Sequence, residues 1–151
     1  MFVQDFYPED AAHCYGCGRL NPDGYHLKTA WDGLEGITRF EPRPAQTSMP
    51  GFVYGGLLAS LIDCHAMATA AAATEAAAGR RVGAGDMPRF VTAALHVDYL
   101  RPTPLGLAIE LRGRVKDSGP RKVVVEVTVA AAGEITVRGE VVAVRLPDNM
   151  R

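Results

Sequence analysis

An α+β domain, with one long central helix wrapped by an antiparallel sheet of five to six strands, is the fold class that the sequence predicts. Three observations predict it. A run of high helix propensity extends from Gly55 to Ala78 and meets a stop signal at Gly79, Arg80 and Arg81. Further on, Leu107, Ile109, Leu111 and Val115 alternate with Ala108, Glu110, Arg112, Arg114 and Lys116 in period two, which gives a strand one buried face and one wet face. Turn signals at Asp32-Gly33, Ser118-Gly119-Pro120 and Ala132-Gly133 separate apolar runs, so successive strands pair antiparallel.

The elements follow in order. Residues 1–24 are rich in Gly, Pro, Asp and aromatics without a period, and predict an irregular N-terminal arm that covers part of the core. Leu27 to Trp31 and Leu34 to Phe40 are short strands joined by the Asp32-Gly33 turn. The helix would run about 35 Å, the width of a small domain, and its alanines allow close approach to a curved sheet. Arg89 to Leu100 supplies another strand, and Val123 to Val129 and Ile135 to Val144 complete a valine-rich meander.

Among 151 residues, 48% are hydrophobic and 22% charged, which predicts a single globular domain spanning 1–151. A domain of this size removes roughly 70% of its unfolded surface from water, so neither cystines nor a structural metal are required. The net charge of -1 and the dispersed basic residues argue against a nucleic-acid partner. No basic region leads into an apolar stretch at the N-terminus, and the alanine-rich helix carries Asp63, His65 and Glu75. The expectation is a cytoplasmic chain with no membrane span and with reduced thiols.

The segment from Tyr54 to Asp63 holds the chemistry. Gly55 and Gly56 open the helix, where the leading N–H groups lack intrahelical acceptors and carry the positive end of the dipole. Such amides can hold a carbonyl oxygen that is becoming an oxyanion, and glycine lets a substrate approach them. Asp63 lies seven residues beyond Gly56, on nearly the same helical face, among apolar neighbours. From these residues alone, a catalytic carboxylate and one that caps a turn or pairs with an arginine stand level. Eight helical residues place Gly55 and Asp63 about 12 Å apart along the axis. If both act on one substrate they come from different subunits, in a two-fold dimer with composite sites.

Other reactive side chains have plainer readings. His65 and His96 are expected to be structural, although His96 shares a strand face with Thr92 and could approach the pocket. Cys64 turns away from Asp63 and reads as a small buried residue. Cys14 and Cys17, near His13 and His26, suggest a zinc knuckle, but a second cysteine pair is missing. A tight glycine turn without metal is the favoured reading.

Several pieces in a fixed order carry a resemblance across nearly the whole chain. They are Cys14-Tyr15-Gly16-Cys17-Gly18 with Asn21-Pro22-Asp23-Gly24, the Gly55-Gly56 to Asp63 spacing, Val91-Thr92, and Tyr99-Leu100-Arg101-Pro102. With them the chain resembles the hotdog-fold acyl-CoA thioesterases of the phenylacetic-acid-pathway and medium-chain type. The resemblance implies thioester hydrolysis, with Asp63 as general base or nucleophile and the Gly55 amide of the opposite subunit polarising the carbonyl. It also implies that Thr92 positions the attacking water and that Ser48 matches a polar residue six positions before Tyr54. Tyr54 itself replaces the histidine that usually precedes the Gly-Gly pair, and its phenol is the expected substitute donor. Gly56, Arg101, Arg121 and Lys122 are the expected contacts to an acyl-CoA or aryl-CoA thioester, whose coenzyme A is part of the substrate, with no separate cofactor. A homodimer or a dimer of dimers is implied. The alternative is a non-catalytic acyl-CoA or hydrophobic-ligand binding protein on the same fold.

Overall fold

A helix of small residues needs a surface that admits it closely, and the sheet provides one. The computed structural model describes residues 1–150. It contains β1 (Ala30–Trp31), β2 (Gly36–Phe40), α1 (Gly55–Ala77), β3 (Phe90–Tyr99), β4 (Ile109–Ser118), β5 (Lys122–Ala131) and β6 (Glu134–Arg145). The strands form one antiparallel sheet in the order β1-β2-β4-β5-β6-β3. This is the hotdog arrangement that the resemblance implied, with six strands around one helix.

Gly36, Gly113, Val127, Gly139 and Val97 pair in one row across β2, β4, β5, β6 and β3. A Cβ at Gly113 would stand 2.8 Å from Thr69 Oγ1 and 2.9 Å from His65 Nε2, and one at Gly139 would stand 2.6 Å from Ile62. The missing side chains form the trough in which α1 rests. Leu61, Ile62, Ala66, Ala68, Ala70 and Ala71 are buried completely there, together with Leu111, Val125, Val127, Val137 and Val141 from the sheet. The helix is long and apolar enough by composition to cross a membrane, yet most of it lies inside the fold.

The N-terminal arm is better ordered than its sequence suggests. Two short 3-10 turns, Val3–Phe6 and Glu9–Ala11, lay Val3, Tyr7, Ala12 and Cys17 into the core. Gln4 and Thr29 exchange hydrogen bonds of 3.1 and 2.8 Å, Thr29 meets Thr38 at 3.0 Å, and Thr38 meets His65 Nδ1 at 2.8 Å. Burial depresses the His65 pKa to about 3, so it is a neutral, hydrogen-bonded core residue, in line with its structural reading.

Hairpin turns fall where the sequence places them. Asp32 Oδ1 accepts from the N–H groups of Leu34 and Glu35 at 2.8 and 2.7 Å, and Gly33 takes φ 102°. Leu107, expected on the buried face, instead precedes β4 and is exposed. Its loop, opened by Gly106 at φ 98°, has not yet joined the sheet, so the strand's alternation starts at Ile109. Between β5 and β6, both Ala132 (φ 51°) and Gly133 (φ 80°) are left-handed. Alanine carries a steric cost there that asparagine largely escapes. Ala132→Asn is therefore expected to raise stability by about 0.5–1 kcal/mol, read from urea denaturation midpoints at unchanged m-value.

Candidate active site

Tyr54 forms the N-cap of α1 with φ −60° and ψ 126°, and its carbonyl accepts from the N–H groups of Leu57 and Leu58 at 3.1 and 3.3 Å. Among the described residues, the Gly55 and Gly56 amides find no acceptor, which leaves them for a ligand. The Gly55 carbonyl is held by the Tyr99 hydroxyl, which donates to it at 2.7 Å. The Tyr54 ring lies over Gly56, whose hypothetical Cβ would meet the phenol oxygen at 2.6 Å. A cavity of about 340 Å³ opens here, bordered by Tyr15, Tyr25, Gln46, Tyr54, Gly56 and Leu57.

Two helical turns further on, Asp63 borders a second cavity of about 170 Å³ with Cys14, Met67, Val91 and Thr92. The Thr92 hydroxyl donates to Asp63 Oδ1. No cation pairs with Asp63 among the described residues, and it caps no turn. The arginine-paired and capping readings that the sequence left open are therefore not what the fold builds. Desolvation raises the Asp63 pKa above the ordinary carboxylate value, the Thr92 hydrogen bond opposes that rise, and the nearby Cys14 charge adds to it. The result is a half-buried, weakly solvated carboxylate.

A β-bulge decides which side chains of β3 reach the helix. The pairing of β3 with β6 shifts by one residue between Thr92 and Ala94. Thr92 stands opposite Ala143, which is fully buried beneath the helix. Past the bulge the faces exchange, so His96 stands opposite Glu140 and meets Asp98 at 3.1 Å on the exposed far side of the sheet. The expectation that His96 shares a face with Thr92 is thus corrected. By the same exchange Tyr99, at an odd spacing from Thr92, turns toward Gly55. Sequence reasoning assigned Tyr99 no role, and the Gly55 contact depends on a bulge that alternation alone does not reveal.

The remaining expected residues lie apart. Ser48 is exposed in the loop before α1, and its hydroxyl donates to the Val53 carbonyl at 3.5 Å, so within one chain it shapes the loop and does not touch Asp63. Arg101 pairs with Glu134 at 3.3 Å near the Gly55 end of the sheet. Arg121 and Lys122 are exposed at the opposite end, where Lys122 pairs with Val144 and Val144 with Val91. One chain therefore does not gather the three basic residues, and it keeps the Gly55 amide and the Asp63 carboxylate about 12 Å apart along the helix.

Comparison with known proteins agrees with this architecture. A thioesterase superfamily protein of solved structure from Shewanella loihica PV-4 is 45% identical, with TM-score 0.70, over 93% of this chain and 100% of that one. A Streptococcus mutans UA159 protein bound to acetyl-CoA shares the fold at 19% identity and TM-score 0.62, over 80% of this chain and 88% of that one. Acyl-coenzyme A thioesterase THEM4 of Xenopus laevis is 33% identical over 87 residues. That match spans 58% of this chain and only 33% of the relative. The thioesterase superfamily model matches residues 50–138, from the loop before α1 into β6. On the fold and on that match, the chain belongs to the thioesterase superfamily.

Proposed function

We propose that the protein hydrolyses acyl-CoA or aryl-CoA thioesters, with Asp63 as general base or nucleophile and the Gly55 amide as oxyanion donor. The observation that carries this reading is Asp63 itself, a half-buried carboxylate with no cation beside it among the described residues, facing a cavity and held by Thr92. A thioester carbonyl polarised by an N–H at the helix terminus is open to attack, and thiolate departure follows collapse of the tetrahedral intermediate. Thr92 orients the carboxylate and the attacking water. Acetyl-CoA in the Streptococcus mutans relative and the acyl-CoA activity in the name of the Xenopus protein support a coenzyme A thioester as substrate. Arg101, Arg121 and Lys122 are the proposed phosphate contacts, contributed by more than one chain.

The proposed assembly is a two-fold dimer. β3 is an edge strand whose outer side has no partner among the described residues, and Leu95, Tyr99, Leu100, Phe52 and Tyr54 around it are 40–56% exposed. Antiparallel pairing of β3 with a second copy about a two-fold axis sets the Tyr99 end of one strand beside the Thr92 end of the other. Gly55 of one protomer then faces Asp63 of its partner, which removes the separation that a single chain imposes. Such dimers act singly or as a dimer of dimers, and the cytoplasm is the proposed compartment.

Release of free thiol from a panel of acyl-CoA and aryl-CoA thioesters tests the reading. Hydrolysis of at least one class is expected. Tight binding of thioesters without thiol release would instead establish the ligand-binding alternative, which Tyr54 lying over Gly56 favours. Because either role of Asp63 needs the carboxylate, kcat/KM should climb with pH through the Asp63 pKa and then level off. Thr92→Val removes the hydrogen bond that lowers this pKa, so the acidic limb should move to higher pH. A limb that stays in place would separate Thr92 from Asp63 ionisation.

A further inference from the structure

Three sulfurs converge where the N-terminal arm meets α1. Cys14 and Cys17 sit in the tight turn, Cys64 follows Asp63 on the helix, and their Sγ atoms all lie within 4.8 Å of one another. Cys14 and Cys64 are 50 positions apart in sequence, yet their sulfurs stand 3.7 Å apart. A disulfide would need about 2.05 Å. Thiolates held at about 2.3 Å around a tetrahedral zinc ion are spaced by about 3.8 Å, so this separation suits a shared cation.

The surroundings are built to the same end. The Gly18 N–H donates to the Cys14 carbonyl at 2.7 Å and closes the turn. A Cβ on Gly16 would collide with Cys64 Sγ, so glycine is what lets the turn approach the helix.

Arg89 is an independent sign. Its guanidinium stacks 4.1 Å from the centre of the Tyr7 ring and has no carboxylate partner among the described residues. Its Nη1 is buried with no hydrogen-bond partner among the described residues, and Arg89 borders the same cavity as Cys14 and Cys17. Three thiolates around a divalent cation leave one negative charge, which the Arg89 cation offsets.

We propose that Cys14, Cys17 and Cys64 bind one thiophilic cation of the zinc class, leaving a fourth coordination position toward the cavity shared with Asp63 and Thr92. Each thiol gives its proton to solvent and a sulfur lone pair to the metal, with no change of oxidation state. The ion clips the N-terminal arm to the helix turn that carries Asp63. The proposal stands independently of the thioester reading.

Co²⁺ titration of the reduced 151-residue chain, prepared without a polyhistidine tag, provides the test. One equivalent per chain should develop thiolate-to-cobalt charge-transfer absorption, which Zn²⁺ abolishes and Mg²⁺ leaves unchanged. In the zinc form the three free thiols should lose reactivity toward a disulfide reagent and regain it on chelation. Chelation should also lower Tm by on the order of 10 °C. Cys64→Ser should lose the one-equivalent absorption; if that variant misfolds, the wild-type titration still decides. Absence of charge-transfer absorption at one equivalent would overturn the proposal. So would air oxidation to a Cys14–Cys64 disulfide in protein whose reduced form takes up no Co²⁺ or Zn²⁺.

Discussion

Asp63→Asn is expected to lower kcat for thioester hydrolysis by about 10²–10⁴, with the fold and substrate binding retained. The amide keeps the shape of the carboxylate and still accepts from Thr92, but it neither takes a proton from water nor attacks a carbonyl. Stability should move the other way. Burial raises the Asp63 pKa in the folded state, so between the unfolded and folded pKa values the folded chain binds more protons than the unfolded one. Stability therefore falls as pH rises through that window, and the cost persists at neutral pH. The neutral amide carries no such cost, so the variant should show a higher Tm at pH 7 and no gain at pH values below the unfolded Asp pKa. Full turnover by this variant would remove Asp63 from the mechanism.

Gly55→Pro is the second large expected effect. Proline is well accepted at the first helical position, where its missing N–H would have no intrahelical acceptor. It also requires an extended residue before it, and Tyr54 already has φ −60° and ψ 126°. The variant thus deletes the proposed oxyanion donor while leaving helix α1 in place, and kcat should fall by about 10²–10³. Circular dichroism and Tm close to wild type would show that the loss is chemical.

Mixing the two inactive variants tests the assembly. In a composite dimer, the Asp63→Asn chain still supplies its Gly55 amide and the Gly55→Pro chain still supplies its Asp63 carboxylate. Each mixed dimer then regains one intact site of two, and random exchange makes half of the dimers mixed, so about a quarter of wild-type activity should return. If each chain carries a complete site, mixing restores nothing.

Much of the scaffold was legible because the backbone's two periods write themselves into residue choice. Val125 to Ala131 buries alternate side chains, the alanine run makes a helix, and Asp32-Gly33 and Ala132-Gly133 turn the chain. The candidate site was legible in part, through a glycine pair and a carboxylate on nearly the same helix face, two turns apart. Tyr99 and the face of His96 were not. Alternation assumes an uninterrupted strand, and the bulge beyond Thr92 reverses it. Nor was the sulfur cluster, since nothing local ties Cys64 to a turn 50 positions earlier.

The order of elements, the length of α1, and the positions of Gly55 and Asp63 on it were determined by the sequence alone, because propensity, alternation and turn chemistry act over neighbouring residues. Tertiary structure decided that one strand serves both ends of that segment, Thr92 at Asp63 and Tyr99 at Gly55. It also decided that three cysteines share one corner. Those outcomes depend on how β3 pairs with β6 and how the arm packs on the helix, and such contacts between distant segments are fixed only when the chain closes on itself.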